Sequence, residues 1–187
     1  MTSWPVNIRS DIDGITSATP LSIIKEGLTN GTPISEISQN LPSAFDMLFG
    51  TIGGSLGEIS ALLIIIGGLY LLIKKVITWH IPVSIIGTVA IIAAIFWLAD
   101  PGMYINPVYH ILTGGLMLGA VFMATDMVSS PMTPKGQIIF GVGIGIITIS
   151  IRLFGAYPDG ISFAILIMNA FTPLINTYVK PKRFGGK

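Results

Sequence analysis

The sequence contains no cysteine and few charged residues. Of its 187 residues, 10 are Lys or Arg and 9 are Asp or Glu, so the charged fraction is 10%, against about 25% in a soluble domain. The absence of cysteine excludes disulfides, zinc-thiolate sites, cysteine-ligated iron-sulfur clusters and thiol nucleophiles within this chain. A net charge of +1 provides no polybasic surface, which excludes nucleic acid as a partner. Any redox chemistry in this chain therefore needs a bound cofactor.

Apolar residues dominate what is present. They make up 51% of the chain, and the mean hydropathy is +0.79, so we predict an all-α integral membrane protein. Long uncharged stretches follow residue 57, and a membrane-spanning helix needs about 20 mostly apolar residues. We predict a membrane domain at 51–180 with about five spans, because the uncharged stretches approach this length. The predicted spans are Gly57 to Ile73, Ile81 to Leu98, Val108 to Thr125, Gly136 to Phe154 and Ile161 to Val179.

Basic residues are distributed unevenly between the two sides of these spans. Lys74, Lys75 and Lys135 follow the first and third spans, and a basic tail at 181–187 follows the fifth. By the positive-inside rule the tail is cytoplasmic and the first fifty residues face outward. Residues 1–20 lack the basic start and apolar core of a signal peptide, so we expect further spans upstream of this segment.

The N-terminal segment at 1–50 is predicted to lie outside the membrane. Its first part is polar and rich in Gly and Pro, which is typical of a loop, and we predict short helices at Leu21–Thr29 and Ser35–Phe49. The second helix carries an apolar stripe that favours packing on the membrane surface or against partner helices. That stripe consists of Ile37, Leu41, Phe45 and Leu48.

The chemistry-bearing pattern is the stretch from Asp13 to Thr19, DGITSAT, followed by Pro20. The residues before Thr19 are small, and Pro20 holds the preceding backbone extended, so the pattern presents the Thr19 hydroxyl with little cover. A hydroxyl presented in this way can be modified by another enzyme. Ser/Thr/Asp clusters before a helix also serve as N-caps and turns, and the pattern leaves both uses open.

The stretch DGITSATPL resembles the flavinylation motif of the D subunit of the Rnf complex and of the related B subunit of the sodium-translocating NADH:quinone reductase. The resemblance covers nearly the whole chain, and the compact tail after the fifth span favours the Rnf protein. The other stretches similar to this family are GGSLGEIS (53–60), HILTGGLMLGAVFMATDMVSSPMTPKGQIIFG (110–141), IRLFGAYPDGISFAILIMNAFTPLI (151–175) and the ending VKPKRFGG.

The resemblance implies that Thr19 carries FMN covalently through a phosphoester bond. Asp13 would be the acidic residue at the start of the motif. Thr16, Ser17 and Ala18 would be the small residues accepted by the flavin transferase that attaches the FMN. Some family members have glycine at the position of Ser17, but serine keeps the loop small, so the implied modification stands.

The resemblance also implies a place for the chain in a larger protein. The family's chains are about twice as long, with about ten spans in two inverted repeats, and this sequence matches the second half. Met1 would then be an internal methionine or a misassigned start. The family's complex is a redox-driven ion pump of the prokaryotic inner (plasma) membrane that passes electrons between ferredoxin and NAD and moves Na+ or H+. The chain would be one electron relay beside the other subunits.

Carboxylates near the span ends are candidates for an ion path. Glu58 precedes the first span, where the helix dipole also favours a purely structural carboxylate. Asp126 ends the third span, where the dipole disfavours it, so we expect a partner or a functional role. We assign no metal ligands, because His80 and His110 are too far apart in sequence for ligand spacing, and no residue is assigned a catalytic role.

The remaining polar residues of the spans have structural interpretations. We interpret His110 as an interfacial hydrogen-bonding residue rather than a proton relay. Arg152 is expected to reach the interface or to pair with Asp159. Asn106 and Asn169 are expected to form hydrogen bonds between helices.

Glycines in the third and fourth spans predict surfaces on which helices pack closely. They are Gly114, Gly115 and Gly119, and Gly141, Gly143 and Gly145.

The sequence leaves two other functions open. The chain could be half of a membrane transporter or channel with no redox role, because inverted-repeat folds also form solute pathways. It could also be a scaffold that needs its other half. The stretch from Asp13 to Thr19 separates these two interpretations from the redox one.

Overall fold

The computed structural model of the chain describes residues 19–29, 41–50 and 60–180. All regular structure in these ranges is helical, which confirms the predicted all-α class. The helices are α1 (Pro20–Thr29), α2 (Ala44–Phe49), α3 (Ala61–Ile73), α4 (His80–Ala99), α5 (Pro107–Leu112), α6 (Leu116–Leu118, continued by a π-helical turn at Gly119–Met123), α7 (Pro134–Phe154) and α8 (Ile161–Tyr178). The predicted residues outside the described ranges are Asp13, Thr16, Ser17, Ala18, Ile37, Glu58 and the tail at 181–187.

Three helices in the described ranges are long and apolar enough to cross a membrane: α4, α7 and α8. They match the second, fourth and fifth predicted spans closely at both ends. The helix of the first predicted span, α3, has 13 residues and begins after Ser60, whose hydroxyl accepts a hydrogen bond from the Leu63 N–H at 3.4 Å. This side-chain cap fixes the start of α3.

The third predicted span is not one continuous helix, so the expectation of a regular spanning helix there is wrong. Helix α5 ends at Leu112, and α6 begins at Leu116. Between them Gly114 has a φ of 71°, in the left-handed region that side-chain-bearing residues rarely adopt. Gly114 and Gly115, which were expected to form a packing face, therefore lie at a break instead, whereas a Cβ on Gly119 would lie 2.5 Å from the Ile161 Cγ1, so the predicted close packing is confirmed there.

The core lies where α4 crosses α7 and α8 packs beside them. A Cβ on Gly141 would lie 1.8 Å from the Ser84 Oγ, and a Cβ on Gly145 would lie 2.7 Å from the Thr88 Cβ. Residues four apart lie on one helix face, so a pair of glycines on α7 receives a pair of hydroxyl side chains on α4. The predicted small-residue face of the fourth span is confirmed at these two positions.

The N-terminal helices pack against one end of this core. The described part of the predicted second helix begins only at Ala44, because Ser43 is extended and its hydroxyl accepts from the Asp46 N–H at 3.2 Å. Leu41 is buried, whereas Phe45 is 77% exposed. The predicted stripe through Leu41 and Phe45 is therefore wrong, since the two side chains do not share a helix face.

Candidate functional site at a helix break

The break between α5 and α6 leaves backbone groups without helical partners. The last carbonyls of a helix and the first N–H groups of the next have none within their own helices. Here both kinds of group face one ion pair, which joins Arg152 in the last turn of α7 to Asp159 just before α8.

Arg152 satisfies the carbonyl side of the break. Its Nη1 donates to the His110 carbonyl, and its Nη2 donates to the Thr113 carbonyl at 3.1 Å. Its side chain is 1% exposed. A guanidinium has its donors in a fixed planar fork, so one side chain reaches both carbonyls and still faces a carboxylate.

Asp159 satisfies the amide side of the break. Its Oδ2 accepts from the Gly115 N–H at 2.9 Å, and its Oδ1 accepts from the Gly160 N–H at 2.9 Å. The Oδ1 also accepts from Arg152 Nη2 at 3.0 Å and Nε at 3.3 Å. The sequence left open whether Arg152 reaches the interface or pairs with Asp159, and pairing is confirmed.

The signs of the two charges match the helix ends that they face. The carbonyl end of a helix carries a partial negative charge and the amide end a partial positive charge. The cation therefore lies at the end of α5, and the anion lies at the starts of α6 and α8. This match lets a charge pair persist in an otherwise apolar setting, where an unpaired charge is costly.

Helix α1 covers the break. A Cβ on Gly114 would lie 3.2 Å from Leu21 Cδ2 on α1 and 2.8 Å from the Arg152 Nη2. Leu21 and Ile24 form a buried cluster with Leu41 and Ile105. The backbone of the break is thus enclosed between α1 and the ion pair.

Lys25 ties α1 to the end of α7. Its ammonium lies within hydrogen-bond distance of the carbonyls of Ile151 at 3.5 Å, Arg152 at 3.2 Å and Tyr157 at 3.3 Å, and also of the Gly155 carbonyl, and its three N–H groups are shared among these four acceptors. Burial lowers the pKa of Lys25 below its ordinary value, because the ammonium loses part of its water.

Thr19 lies at the start of α1 and acts as its N-cap. The Thr19 Oγ1 accepts from the Ser22 N–H at 3.4 Å and lies 2.9 Å from the Ser22 Oγ, and the Thr19 carbonyl accepts from the N–H groups of Ser22 and Ile23. Thr19 is 9% exposed. The expectation of a hydroxyl with little cover is wrong, because the side chain turns back onto its own helix.

The chemistry of Thr19 nevertheless fits a phosphoester. It is an aliphatic hydroxyl at the N-terminus of a helix of 10 residues, where backbone N–H groups and the helix dipole favour a phosphate. An esterified Oγ1 keeps its lone pairs and can still accept from the Ser22 N–H. It loses only the hydroxyl proton that the Ser22 Oγ can receive.

Of the two predicted ion-path carboxylates, the structure describes Asp126. It is exposed and lies in the turn after the π-helical segment. The Ser129 hydroxyl donates to its Oδ2 at 3.1 Å. The partner expected for Asp126 is therefore a neighbouring serine. Among the described residues, no group of three or more acidic, His or Cys side chains could hold a metal ion.

The other predicted polar residues are only partly as expected. Asn106 is an exposed N-cap whose Oδ1 accepts from the Val108 N–H at 3.0 Å, so the prediction of a hydrogen bond between helices is wrong for this residue. The Nδ1 of His110 and the Oδ1 of Asn169 are buried and have no hydrogen-bond partner in the described part of the chain. For these two atoms the expected hydrogen bonds are absent there.

Sequence reasoning missed Lys25 and the role of Gly114. The dipeptide Gly114-Gly115 was a usable signal, because paired glycines mark a turn. Lys25 offered none, since its acceptors lie more than a hundred residues further along the chain.

Comparison with known proteins places the chain in a family. A family model described as the NQR2, RnfD, RnfE family matches residues 1–185. The D subunit of the proton-translocating ferredoxin:NAD(+) oxidoreductase complex of Clostridium ljungdahlii is 48% identical over 187 residues, covering 99% of this chain and 56% of the relative. The D subunit of the Na(+)-translocating ferredoxin:NAD(+) oxidoreductase complex of Acetobacterium woodii is 44% identical over 192 residues, covering 99% and 55%.

A third relative, the D subunit of an ion-translocating oxidoreductase complex of Halorhodospira halophila, is 40% identical over 179 residues, covering 94% of this chain and 49% of the relative. The chain thus spans about half the length of the curated relatives it matches. The resemblance noted in the sequence is confirmed. The chain belongs to the NQR2, RnfD, RnfE family.

Proposed function

We propose that the chain is part of the membrane-embedded D subunit of an Rnf-type ion-translocating ferredoxin:NAD oxidoreductase, in which Thr19 carries covalent FMN as an electron relay coupled to Na+ or H+ translocation. The relatives named above are subunits of such complexes. The observation that carries the proposal within this chain is the position of Thr19. The last residue of the stretch DGITSAT begins a helix that covers a buried ion pair at a helix break.

FMN, when bound, supplies reversible one- and two-electron transfer. Thr19 holds the FMN covalently, and the position of α1 sets where the FMN lies. Attachment requires the Thr19 side chain to turn toward solvent, which opens its cap bond, worth about 0.5–2 kcal/mol, while the ester forms; the esterified Oγ1 can then accept from the Ser22 N–H again. The N–H groups of the first turn of α1 then face the phosphate.

The proposed membrane arrangement has about five spans as one half of an inverted-repeat protein. The Thr78 hydroxyl donates to Gln137 Oε1 at 2.8 Å, and the Thr133 hydroxyl donates to the Val179 carbonyl at 3.2 Å. These bonds bring the start of α4, the start of α7 and the end of α8 together. Since the basic residues also cluster there in sequence, we place this end in the cytoplasm and the ion pair at the outer end.

Partners follow from the same proposal. The other subunits of the complex would supply and accept electrons, and a flavin transferase would attach the FMN. Glu58 and Asp126 are the proposed ion-path carboxylates. Asp126 is exposed and bonded only locally among the described residues, so it is open to a cation.

Peptide mass spectrometry of the protein tests the proposal. The protein is purified from the membrane with its partner subunits, or after co-expression with the flavin transferase, and digested. We expect the Thr19 peptide to be heavier by FMN less water, with fragments that place the addition on Thr19. Thr19→Val should abolish the addition.

Thr133→Val is the matched control. Thr133 is also a buried N-cap threonine, and its Oγ1 accepts from the Gly136 N–H at 3.1 Å, so this variant removes the same cap from α7. It should leave the flavin in place. An unmodified Thr19 peptide from an active, fully assembled complex contradicts the redox proposal and favours a transporter, channel or scaffold.

A further inference from the structure

Lys25 lies on the same helix as Thr19 and binds the backbone at the end of α7. We propose that Lys25 is a positioning residue that fixes the Thr19-bearing helix α1 in register over the helix break. The functional meaning of this register rests on the proposed role of Thr19. The register itself can be measured without any flavin.

The contact has the directionality that sets a register. Four carbonyls surround the Lys25 ammonium, contributed by Ile151, Arg152, Gly155 and Tyr157. Two of them, on Gly155 and Tyr157, lie just beyond α7, and the Ile151 carbonyl also accepts from the Gly155 N–H at 2.8 Å; the last turn of the helix carries the negative end of its dipole, which favours a cation there. A cation held by several carbonyls is confined in position, and the helix that carries it is confined with it.

The apolar contacts of α1 do not have this property. Leu21 and Ile24 bury their side chains in a small cluster with Leu41 and Ile105. Hydrophobic burial is non-directional and tolerates sliding or rotation of a short helix. The cluster therefore holds α1 on the protein, and Lys25 selects its position there.

That position is transmitted to Thr19 because a helix is a rigid spacer. Lys25 lies six positions after Thr19, which is about 9 Å along a helix. Leu21 lies between them, and its Cδ2 would lie 3.2 Å from a Cβ on Gly114. A shift of α1 at Lys25 would therefore move Thr19 relative to the break.

The same contact links α1 to the ion pair. Arg152 gives its backbone carbonyl to Lys25 and its guanidinium to Asp159 and the break. The end of α7 is thus held on one side by α1 and on the other by the ion pair. A displacement of α1 would take the Lys25 ammonium away from the backbone carbonyls of the turn that carries Arg152.

Spin-label distance measurement tests the register directly. The chain has no cysteine, so Glu26→Cys on α1 and Ser162→Cys on α8 can be labelled selectively, and both positions are exposed. The measurement uses the full chain in lipid nanodiscs with Thr19→Val, so that no flavin can be attached. We expect one narrow distance distribution, which Lys25→Met broadens or displaces.

Lys135→Met is the control, because Lys135 is an exposed lysine at the opposite end of α7. It should leave the distribution unchanged, and Lys25→Arg should restore a narrow one. Circular dichroism identifies variants that do not fold. A distribution unaffected by Lys25→Met in the folded chain overturns the proposal. Equal broadening by Lys135→Met also overturns it, because the effect would then be one of overall charge.

A second measurement connects the register to the flavin. In the flavin-bearing complex we expect Lys25→Met to shift the midpoint potential of the Thr19-linked FMN, because its surroundings change with the position of α1. Lys25→Arg should return the potential toward that of the unaltered protein, and Lys135→Met should not change it. A changed distance with an unchanged potential overturns the part of the proposal that concerns the flavin. A peptide without FMN sinks the proposed function and leaves the distance result standing.

Discussion

Gly114 is the position at which the helix break is most sensitive to a single methyl group. Its φ of 71° lies in the left-handed region. The Cβ of an alanine would lie 2.8 Å from the Arg152 Nη2, 3.1 Å from the Asp159 Oδ2 and 3.2 Å from the Leu21 Cδ2. Gly114→Ala therefore strains the backbone and pushes against both members of the ion pair.

The size of the effect follows from two contributions. The left-handed backbone costs an alanine about 1–2 kcal/mol. Displacing the guanidinium from the Thr113 carbonyl loses a charge-assisted hydrogen bond worth about 1.5–3 kcal/mol. We expect Gly114→Ala to lower the free energy of unfolding by about 2.5–5 kcal/mol, the sum of these contributions.

Gly87 provides the matched control. It lies within α4, and a Cβ there meets nothing within 4 Å. Gly87→Ala should raise the free energy of unfolding by about 0.5–1 kcal/mol, because alanine is the better helix former. The two substitutions add the same methyl group and should have opposite signs.

Unfolding of the full chain in mixed micelles by SDS measures both variants. It can be followed by the fluorescence of the three tryptophans and by circular dichroism. If Gly114→Ala is as stable as the unaltered chain, then neither the left-handed backbone nor the close contact with Arg152 exists in the membrane. That result would refute the break between α5 and α6 as the cause of the sensitivity.

Two further comparisons of variants test the packing and the ion pair by the same assay. Gly141→Ala should destabilise the chain more than Gly143→Ala, because its Cβ would lie 1.8 Å from a serine oxygen on α4, whereas a Cβ on Gly143 would meet a flexible methionine side chain; equal effects would contradict the close crossing of α4 and α7. Asp159→Asn should cost about 3–5 kcal/mol, because it leaves a buried guanidinium without a counter-charge; Arg152→Met should cost more, since it also removes the bonds to the His110 and Thr113 carbonyls, and the double variant should cost less than the sum of the two single ones. Additive effects would show that the two residues do not act as a pair.

The spans that the sequence predicted well are those bounded by charge and free of internal breaks. Helices α4 and α8 each fill one uncharged stretch, and α7 fills another and extends past it to include Lys135 and Arg152, so hydropathy alone comes close to their ends. The break in the third span was not predicted, because hydropathy is averaged over a window and carries no information on the backbone angle of one residue. Gly114 counts as apolar in a hydropathy average, but its φ of 71° lies in the left-handed region.

The site was predictable only in part, because most of its contacts join residues that are far apart in sequence. The pair of Arg152 and Asp159 lies within seven residues, so sequence proximity was enough to suggest it. The contacts of Arg152 with α5 and of Lys25 with α7 join residues tens to more than a hundred positions apart. No local pattern encodes such contacts. The burial of Thr19 could not be foreseen for the same reason, since it depends on where α1 docks.

Opening of the break would have to overcome several contacts at once. Arg152 would have to release two carbonyls, and Asp159 would have to release the Gly115 N–H. Each group left unpaired in an apolar setting costs free energy, so the break changes state only if new partners replace the old ones. A displaced α1 would uncover Gly114 on the other side of the break. If Thr19 carries the proposed flavin, the helix that bears the redox group and the guanidinium that closes the break therefore meet at the same turn of α7.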